Sequence, residues 1–149
     1  MSRTGKVFCF ILIFSMVLSF MAMGASASNW TDTREQFAGP INGEYTEFRR
    51  KEDSTPCYIN NNRSNCTLAV LTCGALNSRG TDPEDLSYDY TDGSVGGCYH
   101  YLQPGDSKYM GTVIHEYGYT YAGLRVFAND PYDYNYYADF LWSPDSIGG

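Results

Sequence analysis

The sequence contains few basic residues and few large aliphatic residues. Lys and Arg together number 10 against 17 Asp and Glu, which gives a net charge of −7 over 149 residues. Nucleic acids and anionic membranes are disfavoured as partners, because binding them needs a basic patch that displaces counterions. Leu, Ile, Val and Phe make up only about a sixth of the residues after the N-terminal apolar segment, which approaches the composition of disordered chains.

A helical hydrophobic pattern is also missing. No stretch of a dozen residues carries apolar side chains at positions i, i+3, i+4 and i+7. The exception is Asp82–Leu86, where a capping Asp, a following Pro and an acidic residue predict a single helical turn. The absence of longer helical patterns favours an all-β fold.

The first 27 residues have the organisation of a signal peptide. Arg3 and Lys6 precede the apolar run Val7–Met23, and Ala25-Ser26-Ala27 fits the small-x-small rule for cleavage. We predict cleavage before Ser28, a single secreted domain over residues 28–149, and no membrane span after cleavage. The alternative is a retained membrane anchor, since the 17-residue run approaches the length that crosses a bilayer. Cleavage leaves eight basic residues against 17 acidic ones, a net charge of −9.

Tyrosine supplies the surface area that the aliphatic residues lack. All 14 tyrosines and both tryptophans follow the leader, and such rings bury a large area while their polar ends stay hydrated. β-branched and aromatic residues come in short runs between turn residues, which is typical of strands. We therefore predict an all-β fold, a small antiparallel β-sandwich or open barrel with two disulfides. The predicted strands lie near Tyr45–Arg50, Thr67–Cys73, Cys98–Gln103, Lys108–Glu116, Tyr119–Ala128 and Tyr136–Trp142.

Four of the five cysteines follow the leader, and an even number in an exported protein predicts two disulfides. Of the three possible pairings we predict Cys57–Cys66 with Cys73–Cys98, because an Asn-rich loop between the first two suggests a hairpin closed by opposed cysteines. A Cys66–Cys73 bridge is disfavoured, since side chains seven residues apart on one strand point to opposite faces. No C-x-x-C pair is present, and we expect no catalytic cysteine.

Few residues are available for catalysis or metal binding. His115-Glu116 begins like the zinc-protease motif H-E-x-x-H, but Tyr119 occupies the fifth position, and the other histidine is His100. The acidic runs 82–92 and 130–139 lack EF-hand spacing, so a solvated acidic loop is favoured and calcium ligation is the alternative. We expect no catalytic residues, no metal and no cofactor, and hence a non-enzymatic protein.

An aromatic surface is predicted near the C-terminal half of the chain. Residues 109–127 suggest a hairpin that turns near Tyr117-Gly118, and even-numbered residues of its second arm form an aliphatic set that we place in the core. The odd-numbered tyrosines and Arg125 then face outward as a binding surface, or as a half-covered sheet face. The predicted binding residues are Tyr119, Tyr121, Tyr134, Tyr136 and Trp142.

Three segments carry a resemblance to known proteins. Glu44–Lys51, Tyr117–Arg125 and the ending Leu141–Ser146 resemble a loose group of small exported proteins from Gram-positive bacteria, some of which look like lactococcin-type bacteriocins. This resemblance implies export and a β-rich fold, and it transfers no catalytic residue.

Two functions remain open, and both use the aromatic surface. The favoured one is a non-enzymatic secreted interaction protein with bacteriocin-like action at a cell envelope. The alternative is an extracellular glycan-binding module, in which rings stack on sugars and loop carboxylates such as Asp130 and Asp133 accept sugar hydroxyls, with or without calcium. The expected partner is thus a cell-envelope component, an extracellular protein or a glycan.

Overall fold

The computed structural model describes residues 31–146, so the predicted signal peptide lies outside the described residues. Within that range the chain forms ten strands and no helix. In chain order the strands are β1 (Thr33–Ala38), β2 (Asn42–Tyr45), β3 (Arg49–Arg50), β4 (Cys57–Asn61), β5 (Leu68–Ala75), β6 (Glu84–Asp85), β7 (His100–Leu102), β8 (Asp106–Met110), β9 (Tyr121–Ala128) and β10 (Tyr137–Ser143).

The strands form two antiparallel sheets arranged as a half-barrel. The first sheet has the order β1-β10-β4-β8. The second has the order β2-β9-β5-β6, with β3 also paired to β9 and β7 also paired to β5. The predicted all-β antiparallel class is therefore confirmed.

One core lies between the two sheets, and the alternation of residues along β9 shows how it forms. Ala122, Leu124 and Val126 are fully buried, whereas Tyr121 and Arg125 on the other face are partly exposed. This confirms the predicted division of β9 into an aliphatic core face and an aromatic outer face. Buried side chains of both sheets meet in this core, among them Ile59, Leu68, Val70, Leu102, Phe140 and Trp142.

The predicted hairpin over residues 109–127 is wrong. Strand β8 pairs with β4 in the first sheet, whereas β9 pairs with β5 in the second. The intervening residues form tight turns, with Tyr117 N donating to Val113 O at 3.0 Å and Tyr119 N to Ile114 O at 3.1 Å. Because Ile114 is fully buried, this segment is held in the core and carries the chain from one sheet to the other.

The predicted helical turn at Asp82–Leu86 is also wrong. Glu84 and Asp85 form the short strand β6 opposite Gly74 and Cys73. Leu86 N then donates to Thr72 O at 3.0 Å and the Leu86 side chain is buried. Pairing with the free edge of β5 therefore overrides the local helix signal.

The structure does not support the two predicted disulfides, since Cys57, Cys66, Cys73 and Cys98 are all free thiols. Cys57 and Cys66 do not close a hairpin, because β4 and β5, which flank the Asn-rich loop, belong to different sheets. Burial raises the pKa of both the Cys57 and the Cys73 thiols to about 12, so these two thiols stay protonated at neutral pH.

One ion pair links two strands of the first sheet, and a second links the end of that sheet to the end of β3 in the second sheet. Arg34 on β1 donates to both carboxylate oxygens of Asp139 on β10, at 2.8 and 2.5 Å. Lys51, just after β3, donates from Nζ to Oδ1 of Asp145 at 2.7 Å, and both side chains are fully buried. Among the described residues there is no helix long and apolar enough to cross a membrane.

The shared core predicts a large cost for truncating Leu124. Leu124→Ala should lower the free energy of unfolding by about 2–5 kcal/mol, because it removes buried methyl groups and leaves a cavity. Leu76→Ala is the matched control, since that side chain is 71% exposed and its loss should change stability by less than about 0.5 kcal/mol. Urea unfolding measures both, and equal costs would show that Leu124 is not in the core.

The Arg34–Asp139 pair predicts a specific acid dependence. Hydrogen bonding from Arg34 outweighs burial and lowers the pKa of Asp139 below its ordinary value of 3.8. A carboxylate with a lowered pKa stabilises the fold above its unfolded pKa, and this contribution is lost as pH falls through the folded pKa. Asp139→Asn should therefore flatten the stability profile below about pH 4, as measured by urea unfolding. Arg34→Gln should remove the same pH-dependent part of the unfolding free energy. A double variant that loses more of it than either single variant would contradict the pairing.

Candidate functional site

A cleft lined by tyrosines lies beside β7 and β8, where the chain passes from the second sheet to the first. Its volume is about 630 Å³, within the usual range for pockets that take a small ligand or part of a polymer. We call it the tyrosine cleft. It is lined by Tyr88, Asp89, Tyr90, Thr91, Ser94, Gly96, Gly97, Cys98, Tyr99, His100, Tyr101, Lys108, Tyr109 and Gly111.

The rings of the tyrosine cleft are accessible and held against one another. Tyr99 and Tyr101 flank His100 along β7, and successive odd residues of a strand share one face. Tyr88 and Tyr90 meet edge to face with ring centroids 5.0 Å apart. The rings of Tyr90 and Tyr101 are 69% and 67% exposed, so they present large aromatic surfaces to solvent.

His100 has a buried ring nitrogen on the opposite face of β7 from the Tyr101 ring. Its pairing with Val70 turns the side chain toward the inner face of the sheet, because directly opposed residues share a face. Its Nε2 atom is buried and has no hydrogen-bond partner among the described residues. Buried polar atoms are almost always paired in folded proteins, so this nitrogen is an unusual feature of the cleft wall, and a ligand can bond to it only if the ring first moves.

Burial is the main cause that favours the neutral form of the His100 imidazole. Burial lowers its pKa below the ordinary value of 6.5, and the positive charge of Lys108 acts in the same direction. A backbone hydrogen bond at Gly111 and the charges of Asp89 and Asp85 oppose this shift without reversing it. A neutral imidazole with one nitrogen bonded to the backbone offers the other as a hydrogen-bond acceptor.

Gly111 is required by close packing at the cleft. A Cβ atom there would lie 2.4 Å from the Tyr88 carbonyl oxygen and 2.7 Å from the Tyr90 ring. The Gly111 carbonyl accepts hydrogen bonds from Tyr88 N at 3.0 Å and from Thr72 Oγ1 at 3.4 Å. Glycine therefore lets the loop that carries Tyr88 and Tyr90 lie directly against the backbone that follows β8.

The acidic residues near the cleft are used mainly to form turns. Asp89 Oδ1 accepts from Thr91 N at 2.7 Å, and Asp92 Oδ1 accepts from Ser94 N at 2.8 Å. The hydrogen bonds from Ser94 lower the pKa of Asp92. These are Asx turns, in which a carboxylate bonds the backbone two residues on and fixes the loop. The side chains that line the cleft are thereby held in place by local bonds.

The second acidic run behaves in the same way. Asp130 Oδ1 accepts from Tyr132 N at 3.2 Å, and Asp133 Oδ1 accepts from Asn135 N at 2.8 Å. Over residues 31–146 no group of three or more His, Cys, Asp and Glu side chains is arranged to hold a metal ion. The structure thus gives the calcium alternative no ligand set in the described part of the chain.

The four tyrosines and one tryptophan predicted as binding residues lie outside the tyrosine cleft. Trp142 is fully buried in the core, and Tyr119 is half-buried with its hydroxyl bonded to Glu84. Tyr121 and Tyr136 are also half-buried. Tyr134 is 80% exposed and is the one member of this set with a freely accessible ring.

The cleft residues did carry a signal in the sequence. Tyr88-x-Tyr90 and Tyr99-x-Tyr101 repeat a tyrosine at the two-residue spacing that places side chains on one face of a strand. The sequence does not tell that these two pairs meet, because they come together only when β7 pairs with β5 and the loop before it folds back on Gly111.

Comparison with known proteins places the chain in a family. Residues 22–146 match the sequence model of a family described as Protein of unknown function (DUF2712), and the chain belongs to that family. No curated protein and no solved structure matches it. The geometry of the cleft is therefore the basis for assigning a function.

Proposed function

We propose that this protein is a secreted, non-enzymatic glycan-binding protein and that the tyrosine cleft is its binding site. The observation that carries the proposal is the group of exposed tyrosine rings that lines the cleft together with Asp89 and Lys108. This arrangement combines polar side chains with several aromatic faces. The ligand must therefore offer both a hydroxyl or amide donor and apolar surface.

Sugars have this combination of groups. The C–H faces of a pyranose pack on aromatic rings, and its hydroxyls donate to and accept from side chains. Tyr90 and Tyr101 supply accessible rings, while Asp89 and Lys108 add an acceptor and a donor at the same cleft. An open cleft also suits a polymer, since one or two sugar units can bind while the chain continues into solvent.

Charge argues against the other common ligands of stacked aromatic residues. Single-stranded nucleic acids also stack on tyrosines, but their binding depends on a basic groove that tracks the phosphates. Within the cleft Lys108 and Asp89 carry opposite charges, and the whole sequence has a net charge of −7. A neutral or positively charged glycan is thus favoured over an anionic polymer.

Secretion and action at a cell envelope are part of this proposal. They are supported by the charged start, apolar run and small-residue site of the first 27 residues. Binding to an envelope glycan is one form of this action, and bacteriocin-like inhibition of competing cells is the second form. The second form is favoured by the resemblance of the Trp142–Ser146 ending to exported proteins. Glycan binding does not need toxicity, so the two forms are separable by experiment.

A retention assay on purified cell wall tests the proposal. The protein starting at Ser28 should be retained by cell wall or by an isolated wall polysaccharide, and free sugar should elute it. Retention should be unchanged by EDTA, because the binding groups are aromatic rings and polar side chains that need no metal ion. A growth-inhibition assay run beside it separates the second form: inhibition without retention would contradict glycan binding and support a toxic interaction protein.

Tyr101 should be a main contributor to binding. Tyr101→Ala should weaken glycan binding at least about tenfold, because truncating an aromatic anchor commonly costs more than about 1.4 kcal/mol. Tyr132→Ala is the matched control, since that ring is 72% exposed but lies outside the cleft. Calorimetric titration measures both, after circular dichroism has shown that both variants fold. Equal losses in the two variants would place the site elsewhere.

His100 should give binding a characteristic pH dependence. Burial and Lys108 lower its pKa, so the imidazole is neutral above its ordinary value and binding is complete there. As pH falls through the lowered pKa, protonation places a positive charge on a buried ring in the wall of the cleft, which should disturb that wall and decrease the affinity. His100→Gln should bind more weakly and lose this acid limb, whereas His115→Gln, at the exposed histidine, should keep it. An unchanged acid limb in His100→Gln would show that another group controls binding.

A further inference from the structure

The buried contact between Lys51 and Asp145 has the geometry of a reaction site. Lys51 Nζ lies 2.7 Å from Oδ1 of Asp145, and both side chains are completely buried although the residues are 94 positions apart. A second carboxylate is close, because Oδ1 of Asp53 lies 3.7 Å from the same Nζ. An amine and two carboxyl groups thus share one site at the junction between the end of β3 and the end of β10.

A purely ionic role explains this site poorly. Removing an ammonium and a carboxylate from water costs several kcal/mol for each ion, and replacing a buried pair by apolar groups is often neutral or stabilising. An amide linking the same atoms would remove both charges and keep the connection. The desolvated environment therefore favours the neutral covalent product over the ion pair.

We propose that Lys51 and Asp145 form an intramolecular isopeptide bond, a covalent amide between Nζ of Lys51 and Cγ of Asp145. The reaction is a condensation that needs no oxidant, reductant or co-reactant. One proton first moves from the Lys51 ammonium to a carboxylate. The amine then attacks Cγ, the C–N bond forms, the C–O bond to one carboxyl oxygen breaks, and that oxygen leaves as water with two protons that the amine and carboxyl groups supply.

Neighbouring groups are placed to assist each step. Glu52 N donates to Oδ2 of Asp145 at 3.2 Å, and a backbone N–H in this position stabilises the oxyanion that develops when Cγ is attacked. The Lys51 ammonium also donates to Thr55 O at 2.5 Å, which orients the nitrogen. Holding nucleophile and acceptor in contact converts a slow bimolecular condensation into an intramolecular one with a large effective concentration.

Asp53 is placed to transfer protons. Burial acts to raise its pKa, but hydrogen bonds from Thr55, the charge of Lys51 and a hydrogen bond with Asp145 lower it overall. Its Oδ1 lies 3.7 Å from Lys51 Nζ and its side chain is 40% exposed. Asp53 is thus the carboxylate that accepts a proton from the attacking nitrogen and returns it to the departing oxygen, and it is unchanged at the end.

The surroundings exclude competing reactions. Cys57 lies close enough for its thiol to feel the charges of Lys51, Asp53 and Asp145, yet burial raises its pKa to about 12, so it remains a protonated thiol. Full burial of Nζ and of the Asp145 carboxyl keeps bulk water away, which protects the product from hydrolysis. The four described cysteines are free, so this amide would be a covalent link between the segments after β3 and β10 that no disulfide supplies.

Mass spectrometry of the purified, fully denatured protein tests the proposal. The intact mass should be lower than the sequence mass by one water. Trypsin should release a branched peptide that joins Lys51–Arg63 to residues 126–149, because a modified Lys51 is not cleaved. This assignment separates the isopeptide from a succinimide at Asp92-Gly93, which also loses one water. An intact mass equal to the sequence mass would overturn the proposal whatever the variants do.

Variants assign the roles of the three side chains. Lys51→Arg keeps the positive charge and Asp145→Ala removes the acceptor, so both should restore the full sequence mass. Asp145→Asn should still form the bond, with loss of ammonia in place of water. Asp53→Asn should slow bond formation at least about tenfold, the effect expected when a general acid–base group is lost. A water-depleted mass at the Lys51–Asp145 junction in Lys51→Arg, or unchanged kinetics in Asp53→Asn, would contradict the assigned role of that residue.

Discussion

The pairing of β5 with β9 is the interaction on which the rest of the structure depends. Eight residue pairs, from Leu68 opposite Ala128 to Ala75 opposite Tyr121, form the longest ladder in the described chain. Every other strand of the second sheet attaches to one of these two: β2 and β3 to β9, and β6 and β7 to β5. The tyrosine cleft is a consequence, because β7 reaches its position only by pairing with β5. A ladder between residues about 50 positions apart also means that the fold forms through non-local contacts, which makes loop closure costly.

Scarcity of aliphatic residues shapes where the tyrosines lie. On β9 the aliphatic side chains lie on the inner face, whereas the outer face of the second sheet carries a smaller buried cluster of Phe48, Leu71, Cys73 and Ala75. There Arg125 lies over the rings of Tyr45 and Phe127, at 5.5 and 5.1 Å from their centroids. Such contacts cover a further part of this outer face. Tyrosines that are not needed for this cover remain exposed, and several of them line the cleft.

Local sequence patterns predicted the features that depend on the local backbone, which are the strands and the direction of their side chains. The two-residue alternation on β9 and the short aromatic runs identified strands and the core face, because side-chain direction in a strand follows from the backbone alone. The partners of those strands were not predictable. Residues 109–127 look like a hairpin, yet the burial of Ile114 holds the connecting segment in the core and sends β8 and β9 to different sheets. The disulfide prediction failed for the same reason, since it assumed that β4 and β5 are neighbours.

The candidate site was not predicted from the sequence, because the burial and the partners of its residues are set by tertiary structure. Trp142 is the most conspicuous aromatic residue of the C-terminal segment, but its position opposite Ile59 turns it into the core. His100 appears in the sequence as one more polar residue between tyrosines. Only its pairing with Val70 buries Nε2 and separates it from protein partners. The sequence identifies such a residue, whereas its partner in the sheet determines whether its polar atoms find hydrogen-bond partners.

Buried polar groups concentrate where the chain connects the two sheets, and this placement has a physical reason. Asn61 at the end of β4 donates from Nδ2 to Leu102 O on β7 at 3.1 Å, and Arg49 on β3 donates to Trp142 O on β10 at 3.3 Å. The Lys51–Asp145 contact joins the same two sheets. A hydrophobic interface tolerates sliding, because apolar contacts are not directional, whereas a buried hydrogen bond is lost entirely when its partner shifts. A few buried polar contacts at the junctions therefore fix how the sheets are aligned, and a covalent bond at Lys51 would make one of those contacts permanent.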